Sequence, residues 1–301
     1  MRNVTFVVDE SGAKGFSDNR EAVVGELGVM AGLLIPTECV TQVEADISAI
    51  VFGLSPTGKL HITDLDSGAQ QKVRESLFSY LLSVRAGWVY EAMYVEGLHS
   101  HQQLVSDMGA VAKAQRRSNI KLSGNERLAS LHQELFLGAF GKGVAFCIDH
   151  LGNEVSIDVI TDRVNGSVLK SFDEAAQRLL NVGSRKETGV SGFDPDSKTV
   201  VRGLVTTEIT AGMDQLGDFT GVEYNISQST SVLTLAADVV ANSVHHHLKS
   251  LQACKPGCAL NTVDAIAGHP LANSVYGVTT EASVMPQVAD TIFRHPMSSG
   301  K

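Results

Sequence analysis

Five consecutive core-forming residues, Val4-Thr5-Phe6-Val7-Val8, run directly into Asp9-Glu10-Ser11-Gly12. β-Branched and aromatic side chains suit a pleated, buried surface, so the run predicts a buried strand. An acidic pair placed straight after it lies at the carboxyl end of a central strand, where the ligand sites of α/β sheets collect. Carboxylates there suit Mg²⁺ or Mn²⁺, which prefer hard oxygen ligands. The plainer alternative is that Asp9 caps the turn into Ser11-Gly12 through backbone N–H groups.

The rest of the chain alternates between strand and helix patterns. Val23 to Ile35 reads as one or two strands interrupted by Gly25, Gly28 and Gly32, with Pro36 ending it. A helix from Thr37 to about Phe52 carries Val40, Val43, Ile47 and Ile50 at helical spacing. Lys59 to Leu65 reads as extended, about Gln70 to Val84 as helix, and Trp88 to Val95 as strand. His99 to Lys142 reads as a helical insertion in two segments, broken near Ser123-Gly124. Then come a strand at Val155 to Ile160, an amphipathic helix at Gly166 to Val182 and an exposed polar loop from Gly183 to Thr199. Val200 to Ile209 and Val222 to Ser227 are strand candidates, and Thr230 to Leu251 is a strong helix. This order predicts an α/β fold: a mixed β-sheet flanked by helices. Residues 1–252 form its domain, and 253–301 a tail that packs on it or is partly flexible.

Composition narrows the function. The 301 residues are 43% hydrophobic and 19% charged, enough for a substantial core. No charge-free apolar run reaches the roughly 18 residues of a membrane span. No secretion signal is visible, and four cysteines in a chain this long make no disulfide framework, so a cytoplasmic protein is expected. The net charge of −9 argues against a protein that coats nucleic acid non-specifically. It leaves room for an enzyme with acidic metal ligands and a local basic groove.

Two further acids stand in promising places. Asp162 follows a strand, as Asp9 does, and Arg163 beside it could neutralise an acid or hold a phosphate. Taken alone, Asp162 reads more readily as half of an ordinary Asp–Arg loop pair. Asp238 lies in Leu233-Thr234-Leu235-Ala236-Ala237-Asp238-Val239-Val240-Ala241-Asn242, a helix apolar nearly all round. A charge there is costly unless it is paired or bound to metal. Asn242 and His245 share its face, and the flanking alanines leave room for an approaching group. A single salt bridge to a neighbouring strand or loop is the alternative. His61, near Asp64, could act as general base, phosphate contact or metal ligand, or be a structural histidine. His245-His246-His247 with Cys254 and Cys258 give a weak zinc signal. Lys113, Arg116, Arg117, Lys121 and Arg127 form the densest basic stretch, a nucleic-acid groove or a solvated helix face.

Val8-Asp9-Glu10-Ser11-Gly12, Leu60-His61-Ile62-Thr63-Asp64-Leu65, a strand ending near Asp162-Arg163 and a late Leu-Ala-Ala-Asp-Val-Val-Ala helix resemble the family called domain of unknown function 3800. The likeness spans roughly residues 4 to 247. It implies a ribonuclease H-like fold and a divalent-metal-dependent nuclease acting on RNA or DNA, often found near mobile elements or phage defence genes. By that resemblance Asp9, Asp162 and Asp238 would hold Mg²⁺ or Mn²⁺, with Glu10 a ligand or its partner and His61 orienting water or phosphate. Where the family often carries a Glu, this chain has Lys59, so an acidic ligand there is lost or supplied by Asp64. Two rivals follow: a catalytically inactive interaction subunit with a protein partner, and a hydrolase of a small phosphorylated molecule or nucleotide.

Overall fold

In the computed structural model, residues 1–13, 20–52, 61–115, 121–123, 130–181, 186–207, 219, 221–280, 282 and 287–299 are described. The first strand, β1 (Arg2–Gly12), pairs antiparallel with β2 (Leu27–Pro36), which pairs antiparallel with β3 (Gly87–Tyr94). Between β2 and β3 lie helices α1 (Val40–Val51) and α2 (Ser67–Ser83). Helix α3 (Val95–Gln115), the short β4 (Lys121–Ser123) and helix α4 (Leu131–Leu151) come next. They lead into β5 (Val155–Thr161), parallel to β1 on its other side, and helix α5 (Gly166–Leu180). A hairpin of β6 (Lys186–Asp194) and β7 (Thr199–Thr207) precedes β8 (Val222–Gln228), which is parallel to β5. Helix α6 (Val232–Cys254) follows, then α7 (Val263–Ile266), β9 (Val275–Tyr276) and α8 (Val288–Ile292).

The result is a mixed six-stranded sheet, ordered β8-β5-β1-β2-β3-β9, and a separate three-stranded sheet, β4-β6-β7. Helices cover both faces of the large sheet, which is why β2 is buried along nearly its whole length. The pleat sorts β1 cleanly. Val4, Phe6 and Val8 face α4 and α5, whereas Val7 faces α6. Gly32 makes room for the Phe6 ring, since a β-carbon there would come within 2.2 Å of it. Helix α6 is buried nearly all round because it lies on β1 and β2 beneath α1, α2 and α7. Its start is fixed by Ser231, whose hydroxyl accepts from the backbone N–H of Leu233 and Thr234.

Two expectations need revision and two are refined in their bounds. The polar stretch from Gly183 to Thr199, expected as a loop, contains β6 and its turn into β7. A polar strand gains its ladder from a partner, here the Val200-rich β7, and carries little apolar periodicity of its own. The Asp194 carboxylate ties the turn by accepting from the Asp196 N–H and the Ser197 hydroxyl. The insertion near 99–142 is two helices separated by a strand, and the second continues to Leu151. The His61–Leu65 piece is a 3₁₀ turn at Ile62–Asp64 rather than extended chain. Val23–Ile35 yields one strand, beginning at Leu27, after a turn in which Gly25 takes φ +79°.

The C-terminal segment packs against the body. Val275 and Tyr276 add a strand to the β3 edge, and Leu260, Ala265, Ile266 and Leu271 join the α6-side core. Asn261 is its anchor: the side-chain amide donates to Ala92 O and accepts from the Ala92 N–H. Lys142 Nζ reaches the same Asn261 oxygen, Tyr90 O and the Glu91 carboxylate, the last at 3.1 Å. No helix among the described residues is long and apolar enough to cross a membrane.

Candidate functional site

The register of β1 against β5 decides where the acids meet. Val8 pairs with Thr161, so Asp9 and Asp162 stand level at the carboxyl ends of adjacent parallel strands. The odd-numbered face of β1 points toward α6, and Asp9 with it, so Asp238 joins from above. Asp9 is buried and feels the charges of both Glu10 and Asp238. Burial first, then the Glu10 carboxylate and Asp238, push its pKa up to about 9, against a partly offsetting hydrogen bond from the Glu10 N–H at 2.9 Å. Asp9 is therefore held as a neutral acid at pH 7.

Asp238 is raised as well, by burial above all. The Ile62 N–H, donating to it at 2.8 Å, and the His61 ring oppose that rise, while Glu10 and Asp162 add to it. His61 stands between two acids: Nδ1 is 3.8 Å from Asp238 and Nε2 is 3.8 Å from Asp162. Thr230 donates to Asp162 at 2.7 Å and holds the loop after β5 against the start of α6. The structure thus links Asp162, His61, Asp238 and Asp9 in sequence along one side of the strand ends, with Glu10 near Asp9 in the chain but turned to the other face.

Other candidates stand apart. Asp64 is exposed, and its carboxylate accepts from the His61 N–H within its own turn at 3.1 Å. Arg163 is exposed. Lys59, Arg116, Arg117 and Arg127 lie outside the described residues, as do the side chains of Lys113 and Lys121. The His and Cys residues of the zinc signal have separate engagements. His247 bonds Ala265 O, His245 packs by Gly12, and Cys258 meets the Tyr94 hydroxyl.

One neighbour of the site carries no signal in its local sequence. The strand pleat sends Glu10 toward α4, where His132 Nε2 lies 3.3 Å from its carboxylate, within ion-pair reach but off hydrogen-bond geometry. The His132 ring is fixed edge-on against Phe172. Period-two alternation alone implies that Glu10 faces away from Asp9, but not which helix meets it.

The donor set is made of carboxylates and one imidazole. Asp9, Asp162 and Asp238 lie on one side of the sheet end with His61 between the last two, Glu10 acts on Asp9 from the opposite face, and burial above all favours the protonated form of Asp9. Closure is incomplete: among the described residues no three His, Cys, Asp or Glu side chains are grouped so as to hold one ion. No protein-family model matches the chain, and no curated protein matches it.

Proposed function

We propose that this chain is a ribonuclease H-like, divalent-metal-dependent phosphodiesterase acting on RNA or DNA, of the kind the domain of unknown function 3800 resemblance implies. The observation that carries the reading is the burial of Asp9 at a strand end, within charge range of Asp238 and level with Asp162. Such a group is expensive to ionise alone and becomes an anionic ligand when a cation arrives. The mixed sheet with helices on both faces is compatible with the ribonuclease H-like reading.

Asp9, Asp162 and Asp238 would hold Mg²⁺ or Mn²⁺, with Glu10 as ligand or supporting group. Once bound, such an ion polarises water and steadies the leaving oxygen of a phosphodiester. The protein's own part is positional. The Ile62 N–H fixes one Asp238 oxygen, Thr230 fixes Asp162, and His61 is placed to orient water or a phosphate oxygen between them.

A second reading, a ribonuclease H-like interaction subunit without catalysis, is favoured by the incomplete closure of the ligand set. Calorimetric titration with Mn²⁺ separates the two. Binding by the wild type that disappears in both Asp9→Ala and Asp238→Ala supports the metal centre. A wild type that takes up no Mn²⁺ rejects it and directs attention to a protein partner.

A further inference from the structure

The acidic centre continues along α6 into a cationic step. Asp238 and Asn242 are four residues apart, one turn or about 6 Å along the same helix face. Asn242 is buried, and its Oδ1 accepts from Arg74 of α2 at 2.7 Å. The same guanidinium nitrogen reaches Gln70 Oε1 at 3.2 Å. Both partners are neutral amides, and among the described residues no carboxylate lies within ion-pair distance of Arg74. Its Nε is buried with no acceptor. A half-buried guanidinium left without a counterion is unusual in a chain with 33 acidic and 24 basic residues.

A second cation, Lys249, lies three residues beyond His246 on the same side of α6. His246, the next turn of α6 after Asn242, stands between it and Arg74 and is held neutral, by partial burial first and then by both charges. Lys249 is exposed and also bears on His245, which packs beside Gly12 at the end of β1. Positive charge therefore runs along α6 away from the acids, from Arg74 at the level of Asn242, one turn from Asp238, to Lys249, about three turns from it. That offset matters: Arg74 makes no ion pair with Asp238, so its charge stays available.

We propose that Arg74, seated one helical turn along α6 from the acidic centre and followed by Lys249 about two turns further on, forms a phosphate-binding site. The planar fork of a guanidinium suits two oxygens of a phosphate. Asn242 and Gln70 hold the fork in place through one terminal nitrogen without neutralising its charge. Resting on the proposed function, the phosphate is that of a nucleic-acid strand next to the scissile bond, and the site sets the strand's register on the acids.

The test is binding of a fluorescent single-stranded RNA or DNA oligonucleotide, followed by anisotropy across a salt series with EDTA present. Arg74→Gln is expected to weaken binding about tenfold and to reduce the slope of log K against log salt by about one, the signature of one lost phosphate contact. Arg74→Lys keeps the charge and should retain most of the slope. A parallel titration with adenosine monophosphate tells the source of the phosphate. Loss confined to the oligonucleotide places a strand in the site, and equal loss for the mononucleotide places a small phosphorylated ligand there. A folded Arg74→Gln protein with unchanged affinity and slope overturns the proposal and leaves Arg74 as a bridge between α2 and α6. If Arg74→Gln does not fold, Lys249→Ala decides: a flatter slope supports the site, an unchanged one overturns it. Metal takes no part in this binding, so failure of the Mn²⁺ experiment and failure of this one are separate results.

Discussion

Replacing Asp9 with Asn should stabilise the metal-free protein in alkaline solution while abolishing Mn²⁺ binding. In the unfolded chain the carboxyl loses its proton near pH 3.8, and in the fold near 9. Between these values the folded state binds the extra proton, so stability contributed by this group is fully present below the lower pKa and is lost as pH rises. Each pH unit in the window is worth about 1.4 kcal/mol. Asn is neutral throughout and keeps the oxygen that accepts from the Glu10 N–H, so the variant lacks this loss. Urea denaturation of both proteins at about pH 5 and about pH 8 should show the gap in favour of Asn widening by about 4 kcal/mol, three units' worth. Other titrating groups are common to both proteins and largely cancel in the difference. A gap that stays flat with pH, or an Asn variant less stable at both, would falsify the account of Asp9 as a strained neutral acid. Near pH 7, Mn²⁺ binding by the wild type should also release about one proton, seen as a calorimetric enthalpy that depends on the buffer.

Two perturbations test the fold around the site. Lys142→Met leaves Glu91 buried without its cation and should cost about 3–5 kcal/mol in denaturant, most of it recovered by adding Glu91→Leu; a cost under about 1 kcal/mol would mean the pair is not closed as described. Ser231→Ala removes the hydroxyl that accepts at the start of α6 and should cost about 1 kcal/mol by thermal or urea unfolding, with no change if that end is capped otherwise.

The long strands and helices were legible because their signals are local. The β-branched run of β1, the helical spacing of α1 and the apolar face of α6 each carry their own periodicity, and the acids at Asp9, Asp162 and Asp238 stand out against them. The β6 strand was not legible, since its polar sequence carries little apolar periodicity and its ladder is with another segment, β7. The tail's docking was open for a related reason: it depends on single polar anchors such as Asn261, whose partners at Ala92 and Lys142 are far away in the chain.

For the site, the sequence by itself determined which acids stand at strand ends, Asp9 and Asp162, and which stands within a buried helix, Asp238. Only the tertiary structure decided which of them meet. The parallel register of β1 with β5 sets Asp9 level with Asp162, and the seat of α6 on β1 brings Asp238 to Asp9. The same packing leaves Asp64 at its own turn, puts His132 beside Glu10 and presents Arg74 to Asn242. Charge coupling falls off over a few ångströms, and those distances are fixed by strand register and helix seating, which belong to contacts between segments remote in the chain.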